Sequence, residues 1–195
     1  MQASQRLTWI GGALILGGAT LLGCYCFMQH AAETAQKNAE EWLKQAARTR
    51  QPGGDSPKVL HERPSHGDVV GELRIPRLDL AVMVFEGDDG AILKIGAGHI
   101  PATALPQENG NLGIAAHRDS YFRALRFIRA NDAIAFTTTR GTFQYTVTDI
   151  EIVRPSDVNV LAKAPGRDLT LVTCYPFYYV GSAPKRFIVH AKKIV

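Results

Sequence analysis

Outside one apolar stretch near its N-terminus, the 195-residue chain is poor in cysteine and has no block of like charge. Two of its three cysteines lie in that stretch, so Cys174 has no partner for an internal disulfide in the remainder. The net charge of +4 is spread evenly, with 7 basic and 5 acidic residues in 1–66 and 15 and 13 in 67–195. Counterion-driven binding needs a clustered positive face, so the composition argues against a nucleic-acid partner.

The apolar stretch covers residues 7–28 and contains no charged side chain. As a helix it would be about 33 Å long, enough to cross a hydrocarbon core. Arg6 is the only charge before it, which predicts a short cytoplasmic segment, 1–6, and an extracytoplasmic domain on a single-pass protein of the cytoplasmic membrane. A cleaved signal peptide and a lipoprotein signal around Cys24 are alternatives. The uncleaved anchor is favoured because the stretch is long and continues past Cys24.

The next segment, 29–66, is predicted to connect the membrane to a folded domain. Residues 31–50 are rich in Ala, Glu, Gln and Lys, which favours a helix. Its apolar positions are mostly alanine, with Trp42 and Leu43 as exceptions, so it has little surface to bury and is predicted to be a stalk. Two prolines and two glycines in 51–57 end it and predict a flexible linker. His61 and His66 fall in this linker, where solvated side chains are more common than metal ligands.

From residue 67 to 195 the hydrophobic pattern has a period of two, which is typical of β-strands. Helical patterns are brief, at 91–96 and 121–128. Many short strands in about 129 residues predict a mainly β domain, a single barrel or sandwich. Seven strands are predicted: 69–75, 80–85, 112–116, 132–138, 143–153, 168–174 and 187–195.

Three residues of chemical interest lie at the ends of predicted strands: His117, Cys174 and Arg186. Such positions expose a side chain while the strand holds its backbone rigidly. A nucleophile, a proton-transfer group and a permanent cation are the groups that acyl transfer through a thioester requires. A buried thiol, a core imidazole and a surface ion pair are the alternative interpretations.

The strings around these residues match a known family. TLVTCYPF at 170–177, GSAPKRFIV at 181–189 and GNLGIAAHRDSYFRAL at 110–125 closely resemble sortases, above all the class D branch. The resemblance covers about 67 to 195 and implies a closed eight-stranded β-barrel with short helices that acts as a cysteine transpeptidase. One departure is Ala116, where related sequences usually have glycine before the histidine.

The resemblance also implies roles. Cys174 would attack the carbonyl of the threonine in an LPxT-like sorting signal, Arg186 would bind the oxyanion, and His117 would transfer protons to the leaving amine and from the incoming one. The acceptor amine would belong to a cell-wall peptide or to a protein lysine. Thr173, Tyr175 and Ala116 are predicted to contact substrate, and no organic cofactor is required.

Alternatives and secondary candidates remain at this point. The same residues would serve a cysteine peptidase that transfers the acyl group to water, and an anchored peptide-binding module without activity is a third hypothesis. His99 and His190 are predicted to be structural, and Arg118 with Asp119 to cap a turn. The carboxylates of 86–90 could hold Ca²⁺, but a hydrophilic turn is favoured and no metal site is predicted.

Overall fold

The computed structural model describes residues 2–49, 63–166, 168–179 and 181–194, with side chains of the first helix from residue 14 onward. Helix α1 is Gln2–Thr49 and α2 is Gly90–Ile95. Three short 3₁₀ helices cover Pro76–Leu78, Arg123–Phe127 and Val158–Leu161. The strands are β1 Val69–Ile75, β2 Leu80–Glu86, β3 Ala97–His99, β4 Leu112–Ala115, β5 Ala133–Thr138, β6 Gly141–Val153, β7 Leu169–Tyr175 and β8 Lys185–Lys193.

The eight strands close into a barrel in the order β1-β2-β3-β4-β7-β8-β6-β5, with β5 pairing back to β1. The β2–β3 and β4–β7 pairs are parallel, and the other pairs are antiparallel. This confirms the expected closed, mainly β barrel. All seven predicted strands are present, and the eighth is β3.

The barrel interior is a single apolar core. Side chains alternate along each strand, so every second residue of β4, β7 and β8 points inward. Leu112, Ile114, Leu171 and Val189 are at most 1% exposed, and they pack with Phe122 from the turn after β4. The intervening residues of these three strands face away from the core, and they include Cys174 and Arg186.

Among the described residues, α1 is the one helix that is long and apolar enough to cross a membrane. Its apolar side chains from Leu14 to Met28 are exposed, as an anchor requires. The 48 residues of α1 run on without a break through the segment expected to be a stalk. Of the linker predicted at 51–66, residues 51–62, which include His61, lie outside the described residues.

The expectation that the second half of α1 buries little surface is wrong. Ala39 and Leu43 are 4% and 5% exposed and pack on Met83 and Phe85 of β2 and on Ile92 of α2. Alanine's small side chain lets the helix approach the barrel closely. Gln36 reinforces the contact, because its amide donates to the Ile95 carbonyl (2.6 Å) and accepts from the Met83 N–H (2.8 Å).

Candidate active site

The outward faces of β4, β7 and β8 form three rungs that we call the outer ladder. Directly opposite residues of β7 and β8 share one face, so Thr170 faces His190, Val172 faces Ile188, and Cys174 faces Arg186. In the parallel β4–β7 pair, Gly113 lies beside Thr170 and Ala115 beside Val172. The outer ladder therefore runs from a polar rung through an apolar rung to a rung that contains the thiol.

Cys174 lies near the end of β7 and is half-buried. Its direct partner across the antiparallel pair is Arg186, and such opposed residues have Cβ atoms about 4.5–5.5 Å apart. The strand pairing thus brings the only described cysteine of the barrel next to a guanidinium, although 12 residues separate the two in sequence.

His117 completes the third rung. The Ala116 N–H donates to the Val172 carbonyl at 3.2 Å, which extends the β4–β7 pairing one residue beyond β4. His117 and Cys174 each lie two residues beyond the last paired residues, Ala115 and Val172, and both line one cavity. His117 is exposed, and its ring has no hydrogen-bond partner among the described residues. It is therefore free to exchange protons with a bound molecule.

Arg186 is half-buried, and the structure holds one of its terminal nitrogens. Nη1 donates to the carbonyls of Ala183 (3.3 Å) and Lys185 (3.1 Å). Within the described residues, Nε and Nη2 have no partner, which leaves donors of a planar fork available to a ligand. Such a fork can bind two oxygens at once, whereas an ammonium offers only a compact point charge.

A cavity of about 360 Å³ surrounds the third rung and is lined by Cys174, His117 and Arg186 together. Its floor is apolar, and it lies within the size range of peptide and small-molecule sites. The Arg154 backbone N–H and guanidinium lower the pKa of Asp157, so the carboxyl at the cavity edge is ionised at neutral pH. The apolar part of the lining is formed by Leu93, Ile100, Ala115, Ala116, Val153, Pro155, Val158, Val160, Leu161, Val172 and Ile188.

Comparisons with known proteins identify the family to which this barrel belongs. A family model described as the sortase domain matches residues 73–194. Sortase D of Bacillus subtilis is 34% identical over 133 residues, which cover 68% of this chain and 67% of that protein. The chain belongs to the sortase family.

Solved sortase structures have the same architecture. A Clostridium perfringens sortase D5 transpeptidase superposes with a TM-score of 0.70 at 30% identity, covering 83% of this chain and 99% of that one. Sortase A from Corynebacterium diphtheriae superposes with a TM-score of 0.61 at 25% identity, covering 84% of each chain. The expected resemblance to sortases, including the class D branch, is confirmed. Sortases are cysteine transpeptidases, so the chain is assigned to that enzyme class.

The three residues predicted to contact substrate occupy different positions in this sortase. Ala116 is buried and lines the cavity. Thr173 also lines the cavity. It is 2% exposed, and its hydroxyl donates to the Ala116 carbonyl at 2.7 Å, which fixes the end of β4 against β7. Tyr175 does not line the cavity. It lies on the opposite face of β7, where its ring stacks on Phe187 and meets Phe177 edge-on.

Arg118 does more than cap the turn predicted around it, because its guanidinium contacts a distant loop. Its Nη2 donates to the carbonyls of Tyr179 (2.6 Å) and Gly181 (3.2 Å), and its guanidinium lies 5.8 Å from the Tyr179 ring centre. It therefore ties the residue after His117 to the loop that connects Cys174 with Arg186. The sequence offered only adjacency to His117 as a signal, and adjacency does not predict a contact about 60 residues away.

The other two barrel histidines are structural, as predicted. His99 is 1% exposed; its Nδ1 lies 2.6 Å from Glu86 Oε2 and its Nε2 lies 3.1 Å from the Thr103 hydroxyl. His190 is fully buried, with Nδ1 at 3.0 Å from the Thr170 hydroxyl and Nε2 at 2.8 Å from Glu151. Both nitrogens of each ring are engaged, so neither ring can serve a substrate.

Two of the carboxylates in 86–90 have partners within the protein. Glu86 pairs with His99, while Asp89 caps α2 by accepting from the Ala91 and Ile92 N–H groups. Asp89 also meets the His66 ring at 2.5 Å, and the His66 contact and the helix cap lower the pKa of the Asp89 carboxyl. The segment therefore behaves as a capped turn. No group of three potential metal ligands occurs within the described residues.

Proposed function

We propose that this sortase is a membrane-anchored transpeptidase that cleaves an LPxT-like sorting signal after its threonine and transfers the acyl group to an amine. The observation that carries the proposal is the third rung of the outer ladder. His117, Cys174 and Arg186 come from three different strands or strand ends, yet they face one cavity.

Acylation begins when the Cys174 thiolate attacks the threonine carbonyl carbon. The carbonyl π electrons move to oxygen, and the Nε and Nη2 donors of Arg186 bind the resulting oxyanion. Hydrogen bonds that form only to this developing charge lower the barrier without strengthening substrate binding. When the oxyanion collapses, the C–N bond breaks and the amine leaves with a proton from His117. A thioester to Cys174 and a neutral imidazole remain.

Transfer runs through the same groups in reverse order. The neutral His117 ring removes a proton from the incoming amine as nitrogen attacks the thioester carbonyl. Arg186 binds the second oxyanion. Collapse of this oxyanion breaks the C–S bond, regenerates the Cys174 thiolate and releases the new amide. The apolar floor beneath Cys174, formed by Val172, Ile188 and Leu161, suits the leucine and proline side chains of the signal.

The proposed location follows from α1. Residues 7–28 would cross the cytoplasmic membrane with 1–6 in the cytoplasm, and the barrel would lie outside against lipid headgroups. Substrate proteins with a C-terminal sorting signal and an amine acceptor, either a cell-wall peptide or a protein lysine, are the proposed partners. The packing of Ala39 and Leu43 on the barrel would hold the site at a fixed distance from the anchor.

The test is mass spectrometry of the full chain incubated with a small library of LPxT-x peptides. We expect Cys174 to gain the mass of the acyl fragment. When an amine is added, this added mass should disappear and the amide product should form. Release of free acid alone in the presence of many amines would instead identify a peptidase. Absence of any acyl adduct across the library would overturn the proposed signal.

A further inference from the structure

A second cavity of about 430 Å³ lies on the other side of His117, between α1 and the turn that follows β4. Glu33 and Lys37 line it from α1, Lys94 from α2, and His117 and Ser120 from the turn. We call this space the helix cleft. His117 and Leu93 line both the helix cleft and the cavity that contains Cys174, so the imidazole stands between the two.

The wall that α1 contributes is held in place by specific contacts. Gln36 bridges α2 and β2 through its two hydrogen bonds, and Ala32 is 9% exposed at the same level of the helix. A Cβ on Gly96 would lie 2.7 Å from the Gln36 amide nitrogen, so glycine at this position is required for the contact. The helix cleft is therefore formed before any ligand arrives.

The position of the helix cleft fits the amine side of the proposed reaction. The leaving amine and the incoming amine occupy the same place relative to the acyl carbon, because the second step reverses the path of the first. Both exchange a proton with His117. The acyl chain occupies the Cys174 side, so a molecule that presents its amine to His117 has its remaining atoms on the far side, in the helix cleft.

The charges of the helix cleft indicate the chemistry of that molecule. Glu33, Lys37 and Lys94 are exposed, and none of them forms an ion pair or side-chain hydrogen bond with a described residue. Further along α1, Glu40 and Lys44 have the same spacing as Glu33 and Lys37 but pair with each other. One free carboxylate and two free ammonium groups complement a ligand that has both an amine and a carboxylate.

We infer that the helix cleft binds the acyl acceptor, and that this acceptor is a peptide-like primary amine that also contains a carboxylate. The inference rests on the proposed transpeptidation and assigns it an acceptor class. Glu33 attracts the ammonium form on entry, and Lys37 with Lys94 binds the carboxylate. Ser120 offers a hydroxyl to the acceptor's backbone.

The experiment compares two acceptors on the full chain in detergent: glycylglycine, which has a carboxylate, and glycylglycinamide, which does not. The acyl-enzyme is formed with the best peptide of the library, and the amine concentration that gives half-maximal transfer is measured. We expect a lower value for glycylglycine by about twofold to fivefold, the range of one solvent-exposed ion pair. Lys37→Gln combined with Lys94→Gln should abolish that preference, and Glu33→Gln should raise the half-maximal concentration for both amines.

Matched controls are Glu41→Gln, on the solvent side of α1, and Lys192→Gln, on β8. Both should behave as the unchanged protein. Equal half-maximal concentrations for the two amines, or a preference that survives the double lysine change, would overturn the inference.

A binding measurement keeps the two proposals separable. Glycylglycine is titrated into the Cys174→Ala chain, and chemical shifts of the Gln36 side-chain amide and the Ser120 amide are followed. Saturable shifts that disappear with Lys37→Gln and Lys94→Gln support the helix cleft even if no LPxT peptide acylates the enzyme. No shift at millimolar glycylglycine, in a protein that does acylate, would refute the acceptor site while leaving the proposed function intact.

Discussion

Each end of the outer ladder contains a histidine, and the two histidines are in opposite states. At one end, His190 and Thr170 are fully buried, and Asn111 joins them through hydrogen bonds to the Thr170 hydroxyl at 2.8 and 3.1 Å. At the other end, His117 is exposed and Cys174 and Arg186 are half-buried. About 13 Å of strand, four residues at about 3.3 Å each, separates the two rungs.

The difference shows how one sheet can hold a rigid cluster of buried polar side chains at one end and reactive side chains at the other. Each buried polar group of the first rung has a partner, and leaving one without a partner would cost about 1–3 kcal/mol. That cost adds to the backbone pairing of β7 with β8 and to the Val172–Ile188 contact in favouring this register. The third rung lies on the same two strands, so the same register aligns Cys174 with Arg186. Its own hydrogen-bond donors stay free for a substrate. The apolar pair of Val172 and Ile188 separates the two environments.

The largest expected effect is at the thiol. Cys174→Ala should lower acylation by about 10⁴-fold or more, because the nucleophile is lost, and leave the melting temperature almost unchanged. Cleavage of the peptide and the acyl-enzyme mass are the measurements. Cys24→Ala with Cys26→Ala is the matched control and should retain activity. Turnover near that of the unchanged protein in Cys174→Ala would refute the nucleophile assignment.

The second effect concerns the cation of the same rung. Arg186→Lys keeps the charge but loses the planar fork, so we expect a loss of about 10²–10³-fold in acylation rate, as for removal of one oxyanion donor. Single-turnover acylation checks this, with thermal melts alongside. If lysine retains more than about half of the rate, Arg186 acts through its charge alone, because an oxyanion fork would have cost far more.

Much of this arrangement could be predicted from the sequence. Period-two patterning placed seven strands, and the order of His117, Cys174 and Arg186 at strand ends pointed to one rim. Strand β3 was missed because it has only three residues, Ala97–His99, too few to show a period. A Cβ on Gly98 would lie 2.1 Å from the carbonyl oxygen of Gly87, the residue after β2, so close backbone packing determines this residue.

The missed parts share a physical cause: long-range contacts. The packing of α1 depends on which barrel surface Ala39 and Leu43 meet, and the alanine-rich pattern contains no information about that surface. Likewise Arg118 finds its carbonyl partners only after β7 and β8 have paired. Local pattern predicts elements, whereas the contacts that join elements 60 residues apart emerge from the folded barrel.

Arg118 therefore offers a sharper test of how the third rung is positioned. Arg118→Ala removes the tie to Tyr179 and Gly181, so the loop between Cys174 and Arg186 gains freedom. We expect turnover to fall by about tenfold, since small misplacements of catalytic groups have large effects, and the peptide KM to change as well. Arg118→Lys should restore part of the activity. Arg123→Ala, an exposed arginine in the following 3₁₀ helix, should not alter either constant.

Faster proteolysis within 176–184 in Arg118→Ala would support the positioning role. If turnover falls while the loop remains as resistant to protease as before, Arg118 contacts substrate directly, and its assignment as a positioning residue would have to change.

The smallest effect on activity, and the one that tests the comparison most directly, is expected at the first rung. Thr170→Val keeps the volume of the side chain but removes the hydroxyl that links Asn111 with His190. The free energy of unfolding should fall by about 1–3 kcal/mol, because buried polar partners are left unsatisfied. Below the melting range, the acylation rate should stay within about twofold, since Val172 and Ile188 still hold the register and the third rung keeps its alignment.

Chemical denaturation and single-turnover acylation of the same preparation check both. Thr142→Val, at an exposed Thr–Thr contact between β5 and β6, is the control and should change neither. A large loss of acylation without loss of stability would mean that the two ends of the outer ladder are coupled, and that the polar rung takes part in the chemistry.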